Sequence, residues 1–231
     1  MIKIHGFNKL TLLDYPGYLA ATIFLGHCNL RCPFCHNAGL VLSPDEEPVI
    51  PLEEVLATLR KRKGILDGVC ITGGEPTMNV RLPELAGRIK EMGYKVKLDT
   101  NGTHPAMLKE MVKQGLVDYV ALDIKNCPEK YAMTAGVKEI DLLPVMESAE
   151  FLKSGAVDYE FRTTVVKELH KKEDMRKIGQ WIAGSRRYFL QCYKESEQVI
   201  RPVFSSYSKE QLENYRLMLL EYIPQVEIRG I

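Results

Sequence analysis

Short apolar runs alternate along this chain with longer segments that have a helical period. The first run, AATIFL at residues 20–25, is nearly continuous, which is typical of a strand buried on both faces of a parallel sheet. From residue 52 the period changes, because apolar side chains then recur every three or four positions on one helical face. These side chains are Leu52, Val55, Leu56 and Leu59. The pattern predicts a buried strand followed by an amphipathic helix.

The same strand-then-helix alternation continues to the end of the chain. It predicts strands at residues 18–26, 68–71, 94–98, 119–122, 157–166 and 187–193, and a short terminal strand at 226–229. It predicts helices at residues 51–63, 82–92, 107–112, 141–153, 174–183 and 209–222. Residues 1–17 are interpreted as a lead-in that ends in a turn, and residues 126–137 as a longer, irregular segment. Six such units imply parallel strands with right-handed crossovers, in an open doubly wound sheet or a partial barrel.

Polar side chains lie at or just after the carboxyl ends of the predicted strands. They are Cys28, Glu75, Asp99, Asp123 with Lys125, Arg162 and Gln191. In α/β barrels this end of the strands carries the active site. The pattern therefore favours a partial (β/α)6 barrel of the TIM-like type, with residues 1–231 in a single domain.

Composition and charge narrow the range of functions. The 31 basic and 30 acidic residues give a net charge of +1, so no overall field favours nucleic acid or an anionic membrane as a partner. No apolar run approaches the roughly 18 residues of a membrane span, and the first residues lack the apolar core of a signal peptide. We therefore expect a cytoplasmic protein that acts on a small molecule or on another protein, with its six cysteines reduced.

Three of the cysteines lie within eight residues, directly after the first predicted strand. Cys28, Cys32 and Cys35 have the spacing of metal ligands, but structural zinc sites normally take four protein ligands. Iron–sulfur clusters also usually take four thiolates, so a cluster held by three leaves one iron open to an outside ligand. A zinc site completed by His27, His36 or a distant thiol is the alternative.

The Cys-x3-Cys-x2-Cys spacing, with Phe34 before the third cysteine, resembles the signature of the radical S-adenosylmethionine (SAM) enzymes. The resemblance implies a [4Fe–4S] cluster on the three cysteines, in a cluster loop at residues 27–37, with SAM on the open iron. In that family an electron from the cluster cleaves SAM to a 5′-deoxyadenosyl radical, which removes hydrogen from an unactivated C–H bond. The resemblance also implies that Phe34 and His36 contact SAM.

A second motif resembles the one with which this family binds the amino group of SAM. Gly73, Gly74 and Glu75 follow the second predicted strand, and the resemblance implies contacts from their backbone and from the carboxylate. Glycines let a ligand approach the backbone closely, and a carboxylate suits an ammonium group.

Two further strand-end motifs resemble those of one branch, the activases of glycyl-radical enzymes. The resemblance implies that Asp99 and Thr100 help to bind a monovalent cation near the SAM carboxylate, and that Asp123 and Lys125 reach the methionyl and ribose groups. The alternatives are a strand-end turn with a helix cap for the first pair and a surface ion pair of little energetic value for the second.

Two residues on later strands complete the candidate site. Arg162 is suited to bind the SAM carboxylate bidentately, and a structural ion pair is the alternative. In some activases a histidine near the last strand contacts the ribose, whereas this chain has Gln191, followed by Cys192 and Tyr193. The cysteines outside the loop are interpreted as ordinary buried or surface thiols.

Three stretches resemble the anaerobic ribonucleoside-triphosphate reductase activating proteins. They are residues 6–17 (GFNKLTLLDYPG), 35–37 (CHN) and 130–136 (KYAMTAG). Residues 36–72 leave no room for the ferredoxin-like module that larger activases insert after the first motif. The resemblance implies that the protein abstracts hydrogen from a glycine of a glycyl-radical enzyme, most closely that reductase, with an electron donor such as flavodoxin or ferredoxin.

Other interpretations of the same motifs are kept open. The partner is pyruvate formate-lyase in one, and in another the substrate is a small molecule, as in deazapurine synthesis, with residues 126–137 as a lid. A cluster-bearing electron carrier or zinc module without catalysis leaves the glycine motif and the polar strand ends unexplained.

Overall fold

The structure is a computed structural model that describes residues 2–197 and 199–231. Within these residues, eight strands are hydrogen-bonded in chain order in one sheet. The strands are β1 (Ile4–Thr11), β2 (Ala20–Leu25), β3 (Gly68–Gly73), β4 (Lys95–Thr100), β5 (Tyr119–Asp123), β6 (Asp158–Val165), β7 (Arg187–Cys192) and β8 (Gln225–Arg229). A doubly wound sheet reverses its strand order at a switch point, so this sequential order excludes that alternative.

Helices connect the strands of this sheet. They are α1 (Ala38–Leu42), α2 (Leu52–Lys61), α3 (Leu82–Glu91), α4 (Pro105–Lys113), α5 (Tyr131–Ala135), α6 (Leu143–Lys153), α7 (Lys172–Trp181) and α8 (Lys209–Leu219). The pairings of β2 with β3, β3 with β4, β6 with β7 and β7 with β8 are parallel. The predicted α/β class with a mostly parallel sheet is confirmed.

The first strand was not predicted. Residues 4–11 belong to β1, which pairs antiparallel with β2, Phe7 opposite Ile23, at the edge of the sheet. Most of its side chains are at least partly exposed, because only one neighbouring strand covers it. It therefore lacks the apolar run that marks the inner strands, and its sequence resembles a polar lead-in.

Residues 126–137 are more regular than predicted. A 3-10 turn at Pro128–Lys130 leads into α5, and Gly136 ends that helix with φ +70°. Tyr131, Thr134 and Ala135 of this helix are fully buried. Side chains buried to this extent belong to the packed core.

The chain divides into two compact units by its contacts. The first contains residues 1–29, 39–100 and 104–120, and the second contains residues 30–38, 101–103 and 121–231. Each has its own core: the predicted apolar faces of α2 and α3 are buried in the first, and those of α6 and α7 in the second. The single domain over residues 1–231 stays a prediction.

The helices are short for a membrane environment. In the part of the chain that the structure describes, none is both long and apolar enough to cross a bilayer.

Candidate functional site

In the first unit, a glycine pair at the end of β3 packs against the backbone that leads into the cysteine loop. Gly73 has φ +118°, and a Cβ there would lie 2.2 Å from the carbonyl oxygen of Leu25. A Cβ on Gly74 would lie 2.0 Å from the carbonyl oxygen of His27. The backbone N–H groups of Gly74 and Glu75 donate to these same two carbonyls at 2.8 and 2.7 Å. Only glycine permits the backbone at the end of β3 to lie this close to the Leu25 and His27 carbonyls. The glycine pair therefore fixes the position of the backbone at the start of the cysteine loop.

His27 enters the loop in a conformation that few side chains adopt. Its φ is +67°, the one positive value for a non-glycine residue among those described. Its N–H donates to the carbonyl of Leu40 at 2.8 Å, and its side chain is exposed. Cys28 follows in the same unit and is partly exposed.

The Glu75 carboxylate is buried and held by three donors. Its Oε1 accepts hydrogen bonds from the N–H of Thr77 at 3.1 Å, the Thr77 hydroxyl at 2.5 Å and the Thr100 hydroxyl at 2.7 Å. The side chain is fixed at the ends of β3 and β4, as the sequence predicted for Glu75 and Thr100.

Asp99 is bonded to a lysine that the sequence analysis did not select. Its Oδ1 accepts a hydrogen bond from Lys97 Nζ and a weaker one from Cys70 Sγ at 3.7 Å. The Lys97 side chain is 2% exposed. Lys97 and Asp99 are two residues apart on β4, so their side chains share a face, and this spacing was a signal available in the sequence.

In the second unit, Cys32 and Cys35 lie in one turn. The N–H of Cys35 donates to the carbonyl of Cys32 at 2.9 Å, and neither thiol forms a disulfide. Phe34, between them, is buried. Burial raises the pKa of the Cys35 thiol, while the N–H of Asn37 and the Lys125 ammonium act in the opposite direction.

Two neighbouring segments hold this turn through the backbone. The N–H of Arg31 donates to the carbonyl of Ala135 at 2.8 Å, and the N–H of Arg201 donates to the carbonyl of Pro33 at 2.8 Å. A Cβ on Gly136 would lie 1.9 Å from the carbonyl oxygen of Arg31. The end of α5 therefore supports the cysteine turn, which gives residues 130–136 a structural reason for their sequence.

Asp123, Lys125 and Arg162 form one ion-pair group in this unit. The Asp123 carboxylate accepts hydrogen bonds from Arg162 Nε and, at 2.9 Å, from Lys125 Nζ. Burial alone would raise the pKa of Asp123, but the two cations hold it well below its usual range. Burial would lower the pKa of Lys125, but the carboxylate holds it above its usual range. Arg162 lies inside β6, which corrects its predicted place at the strand end.

His170, which carried no signal in the sequence, positions Lys125. Its Nδ1 accepts a hydrogen bond from the N–H of Val166 at 3.0 Å, which leaves the proton on Nε2. Nε2 then donates to the carbonyl of Lys125 at 2.8 Å. The ring is fully buried, and burial lowers its pKa, which favours the neutral form.

His36 and Tyr193 pack together beside the cysteine turn. The ring centroids are 5.6 Å apart, and His36 Nε2 donates to the carbonyl of Lys194 at 2.8 Å. The Tyr193 hydroxyl is buried without a hydrogen-bond partner among the described residues. Gln191 is exposed. Gln191 was the residue predicted to contact SAM at this strand end. The buried polar group there is instead the hydroxyl of Tyr193.

Replacing Asp123 by Asn removes the carboxylate charge that Lys125 and Arg162 share. We expect the free energy of unfolding at pH 7 to fall by about 2–4 kcal/mol, because removal of one partner leaves the other charges largely buried. The wild-type carboxylate has a lowered pKa, so its contribution is fully present above the ordinary Asp pKa of about 3.9 and is lost as pH falls toward the folded-state value. The difference between the two proteins should persist from pH 7 to about pH 4 and narrow below it.

Urea unfolding at several pH values measures this difference. Asp158→Asn, at the exposed start of β6, is the matched control and should change stability by less than about 0.5 kcal/mol. Equal stability of wild type and Asp123→Asn at pH 7 would show that the ion pairs contribute nothing net.

The three loop cysteines fit an iron–sulfur cluster by the chemistry of their donor set. All are free thiols, the ligands that such clusters take, and two of them lie in one braced turn. In the part of the chain that the structure describes, no three His, Cys, Asp or Glu side chains are grouped so as to hold a single metal ion.

Comparison with known proteins supports the same chemistry. The family model described as the radical SAM superfamily matches residues 22–181. A protein of Methanocaldococcus jannaschii, provisionally named as a glycyl-radical enzyme activating enzyme, is 32% identical over 198 residues, 84% of this chain and 81% of the relative. The pyruvate formate-lyase-activating enzyme of Clostridium pasteurianum is 29% identical over 80% of this chain and 78% of its own length.

A third relative covers less of the chain. The 7-carboxy-7-deazaguanine synthase of Neisseria meningitidis is 33% identical over 111 residues, 48% of this chain and 46% of the relative. Among solved structures, Streptococcus suis SuiB bound to the precursor peptide SuiA has a TM-score of 0.69 at 17% identity. That likeness covers 88% of this chain but about half, 47%, of the SuiB chain, and it bears on the fold alone.

Proposed function

The chain belongs to the radical SAM superfamily, and from this premise we propose that it generates a glycyl radical on a partner enzyme. Members of the superfamily are enzymes that use a [4Fe–4S] cluster and SAM. The observation that carries the proposal is the extended similarity to the activating enzyme of M. jannaschii, which includes four fifths of both chains.

Cys28, Cys32 and Cys35 are the residues that would hold the cluster. When bound, the cluster and SAM supply a 5′-deoxyadenosyl radical that removes hydrogen from carbon. The protein's own contribution is to present the thiols in a fixed loop: the glycine pair holds its start and α5 holds the turn. A rigid backbone of this kind keeps ligands in place without a cost in ordering them on binding.

Two preorganised groups are proposed to bind SAM. In the first unit, the buried Glu75 carboxylate is oriented by three donors and suits the ammonium of an amino acid. In the second unit, Lys125 and Arg162 are held by Asp123 and offer cations to a carboxylate or hydroxyl group. Phe34, His36, Gln191 and the backbone at residues 73–74 remain proposed contacts.

The proposed partner is anaerobic ribonucleoside-triphosphate reductase. Its support is the resemblance of residues 6–17, 35–37 and 130–136 to the activating proteins of that reductase. Pyruvate formate-lyase is the other candidate of the same class. We propose a cytoplasmic reaction in which flavodoxin or ferredoxin supplies the electron.

A small-molecule substrate is the second candidate function. The similarity to a deazaguanine synthase favours it, but that similarity includes about half of each chain. The proposed lid at residues 126–137 is buried at Tyr131, Thr134 and Ala135 and bonded to the cysteine turn. A segment packed in this way supports the site, and opening it would expose core residues.

The decisive experiment is electron paramagnetic resonance of the partner after anaerobic reaction. Reconstituted protein, reduced with dithionite and mixed with SAM and the reductase, should give the spectrum of a glycyl radical. The control is the reductase with its radical glycine replaced by alanine, which should give none. SAM cleavage without a glycyl signal on the reductase or on pyruvate formate-lyase, together with turnover of a deazapurine precursor, would overturn the proposal in favour of the second candidate.

A further inference from the structure

A buried ion pair in the first unit includes Asp99, one of the two residues expected to ligate a monovalent cation. Lys97 Nζ is bonded to Asp99 Oδ1, and the Lys97 and Asp99 side chains are 2% and 11% exposed. Cys70 Sγ lies 3.8 Å from the same Nζ and 3.7 Å from the same Oδ1. These three side chains come from β3 and β4, whose register is parallel, with Cys70 opposite Lys97.

The pairing follows from the cost of burying charge. An ammonium or a carboxylate taken out of water loses several kcal/mol of hydration, and a close opposite charge must compensate it. Lys97 and Asp99 satisfy this need in each other because side chains two apart on a strand share a face. Lys95, two residues earlier on the same face, reaches the surface and bonds to Tyr18.

The groups expected to ligate a monovalent cation are already engaged in this arrangement. Asp99 Oδ1 accepts from Lys97, and the Thr100 hydroxyl donates to Glu75 Oε1 at 2.7 Å. A metal cation next to Asp99 would lie close to the Lys97 ammonium, and two like charges in a buried site repel each other strongly.

We propose that the ammonium of Lys97 takes the place of the monovalent metal cation as the counter-charge of Asp99. The end of β4 then carries its own cation, and the site needs neither K⁺ nor Na⁺. The claim that the site needs neither K⁺ nor Na⁺ rests on the proposed function. The claim that Lys97 is the counter-charge of Asp99 concerns the folded chain alone. Lys97 is thereby a positioning residue that acts through Asp99.

The test compares the unfolding temperature in KCl, NaCl and tetramethylammonium chloride at equal ionic strength, without cluster or SAM. Wild type should unfold at the same temperature in all three salts. Lys97→Met should unfold about 10 °C lower in tetramethylammonium chloride, because the buried Asp99 carboxylate then loses the ammonium of Lys97. KCl or NaCl should restore part of that loss, since a small cation then fills the place of the ammonium.

Two variants serve as controls. Lys95→Met removes a lysine from the exposed position of the same strand and should show no difference among the salts. Lys97→Met combined with Asp99→Asn removes both charges, so the restoration by K⁺ or Na⁺ should disappear. A wild type that is stabilised by K⁺ or Na⁺ over tetramethylammonium would overturn the proposal, and so would Lys97→Met showing no salt difference.

Equilibrium binding of Tl⁺, a K⁺ substitute, to wild type tests whether Asp99 binds a monovalent metal cation. This measurement does not depend on the folding of Lys97→Met. No stoichiometric site is expected, and one Tl⁺ bound per chain and lost in Asp99→Asn would overturn the proposal. SAM cleavage by the reconstituted enzyme should also be equal in the three salts. If SAM is not cleaved in any salt, the proposed function fails. The unfolding and Tl⁺-binding results still test whether the Lys97 ammonium is the counter-charge of Asp99.

Discussion

Replacing Cys28, Cys32 and Cys35 together by alanine should reduce SAM cleavage to the level of a protein-free blank. The three thiols are the proposed ligands of the cluster, and without a cluster the electron from dithionite has no route to SAM. The measurement is 5′-deoxyadenosine after anaerobic reconstitution with iron and sulfide, reduction by dithionite and addition of SAM. Iron and sulfide per chain are measured on the same samples.

The matched control is Cys192→Ala, which removes a partly exposed thiol outside the loop. It should keep the iron content and the SAM cleavage of wild type. If the triple variant still forms 5′-deoxyadenosine, the loop cysteines do not hold the catalytic cluster. If wild type binds metal and cleaves no SAM, the electron-carrier or zinc interpretation replaces the catalytic one.

Gly74→Ala should destabilise the protein and reduce the amount of iron–sulfur cluster that it binds. The added Cβ would lie 2.0 Å from the carbonyl oxygen of His27, a backbone atom that cannot turn aside. Either the end of β3 or the start of the cysteine loop must shift, and we expect a loss of about 2–4 kcal/mol in the free energy of unfolding. The iron bound per chain should fall, because the displaced segment leads directly into Cys28.

Urea unfolding of the cluster-free protein separates the two effects. Gly87→Ala, on α3, is the control, since a Cβ there meets only a Leu116 methyl at 3.9 Å. A helix gains about 0.5–1 kcal/mol from this change, so the control should be as stable as wild type or more so. A Gly74→Ala variant with wild-type stability and full iron content would show that the loop tolerates displacement.

Much of the fold followed from periodicity along the chain. The helices α2, α3 and α8 begin at or within one residue of their predicted starts, and the inner strands differ from their predictions by two residues or fewer at each end. These elements bury an apolar face or an apolar run, and burial requires such patterns. The edge strand β1 was missed because most of its side chains are partly or fully exposed. A strand exposed in this way does not need a continuous apolar run.

The sequence predicted that several candidate residues lie at strand ends, but not most of the hydrogen bonds and ion pairs that they form. Glu75 with Thr100, and Asp123 with Lys125, lie at strand ends as expected. Arg162 pairs with Asp123 across 39 positions of sequence, which spacing alone cannot reveal. His170 and Tyr193 were passed over because a lone ring in a sequence shows neither its burial nor its partner.

The sequence by itself determined the order of the inner strands and of the longer helices, the cysteine loop after an apolar strand and the polar residues at strand ends. These are properties of neighbours along one chain, so local spacing expresses them. Only the tertiary structure decided that the end of α5 holds the cysteine turn, that Arg162 and Lys125 share one carboxylate and that Lys97 neutralises Asp99. The strength of a hydrogen bond or of a buried ion pair depends on the distance between the two groups and on their exclusion from water. For residues far apart in the sequence, only folding determines that distance and that burial.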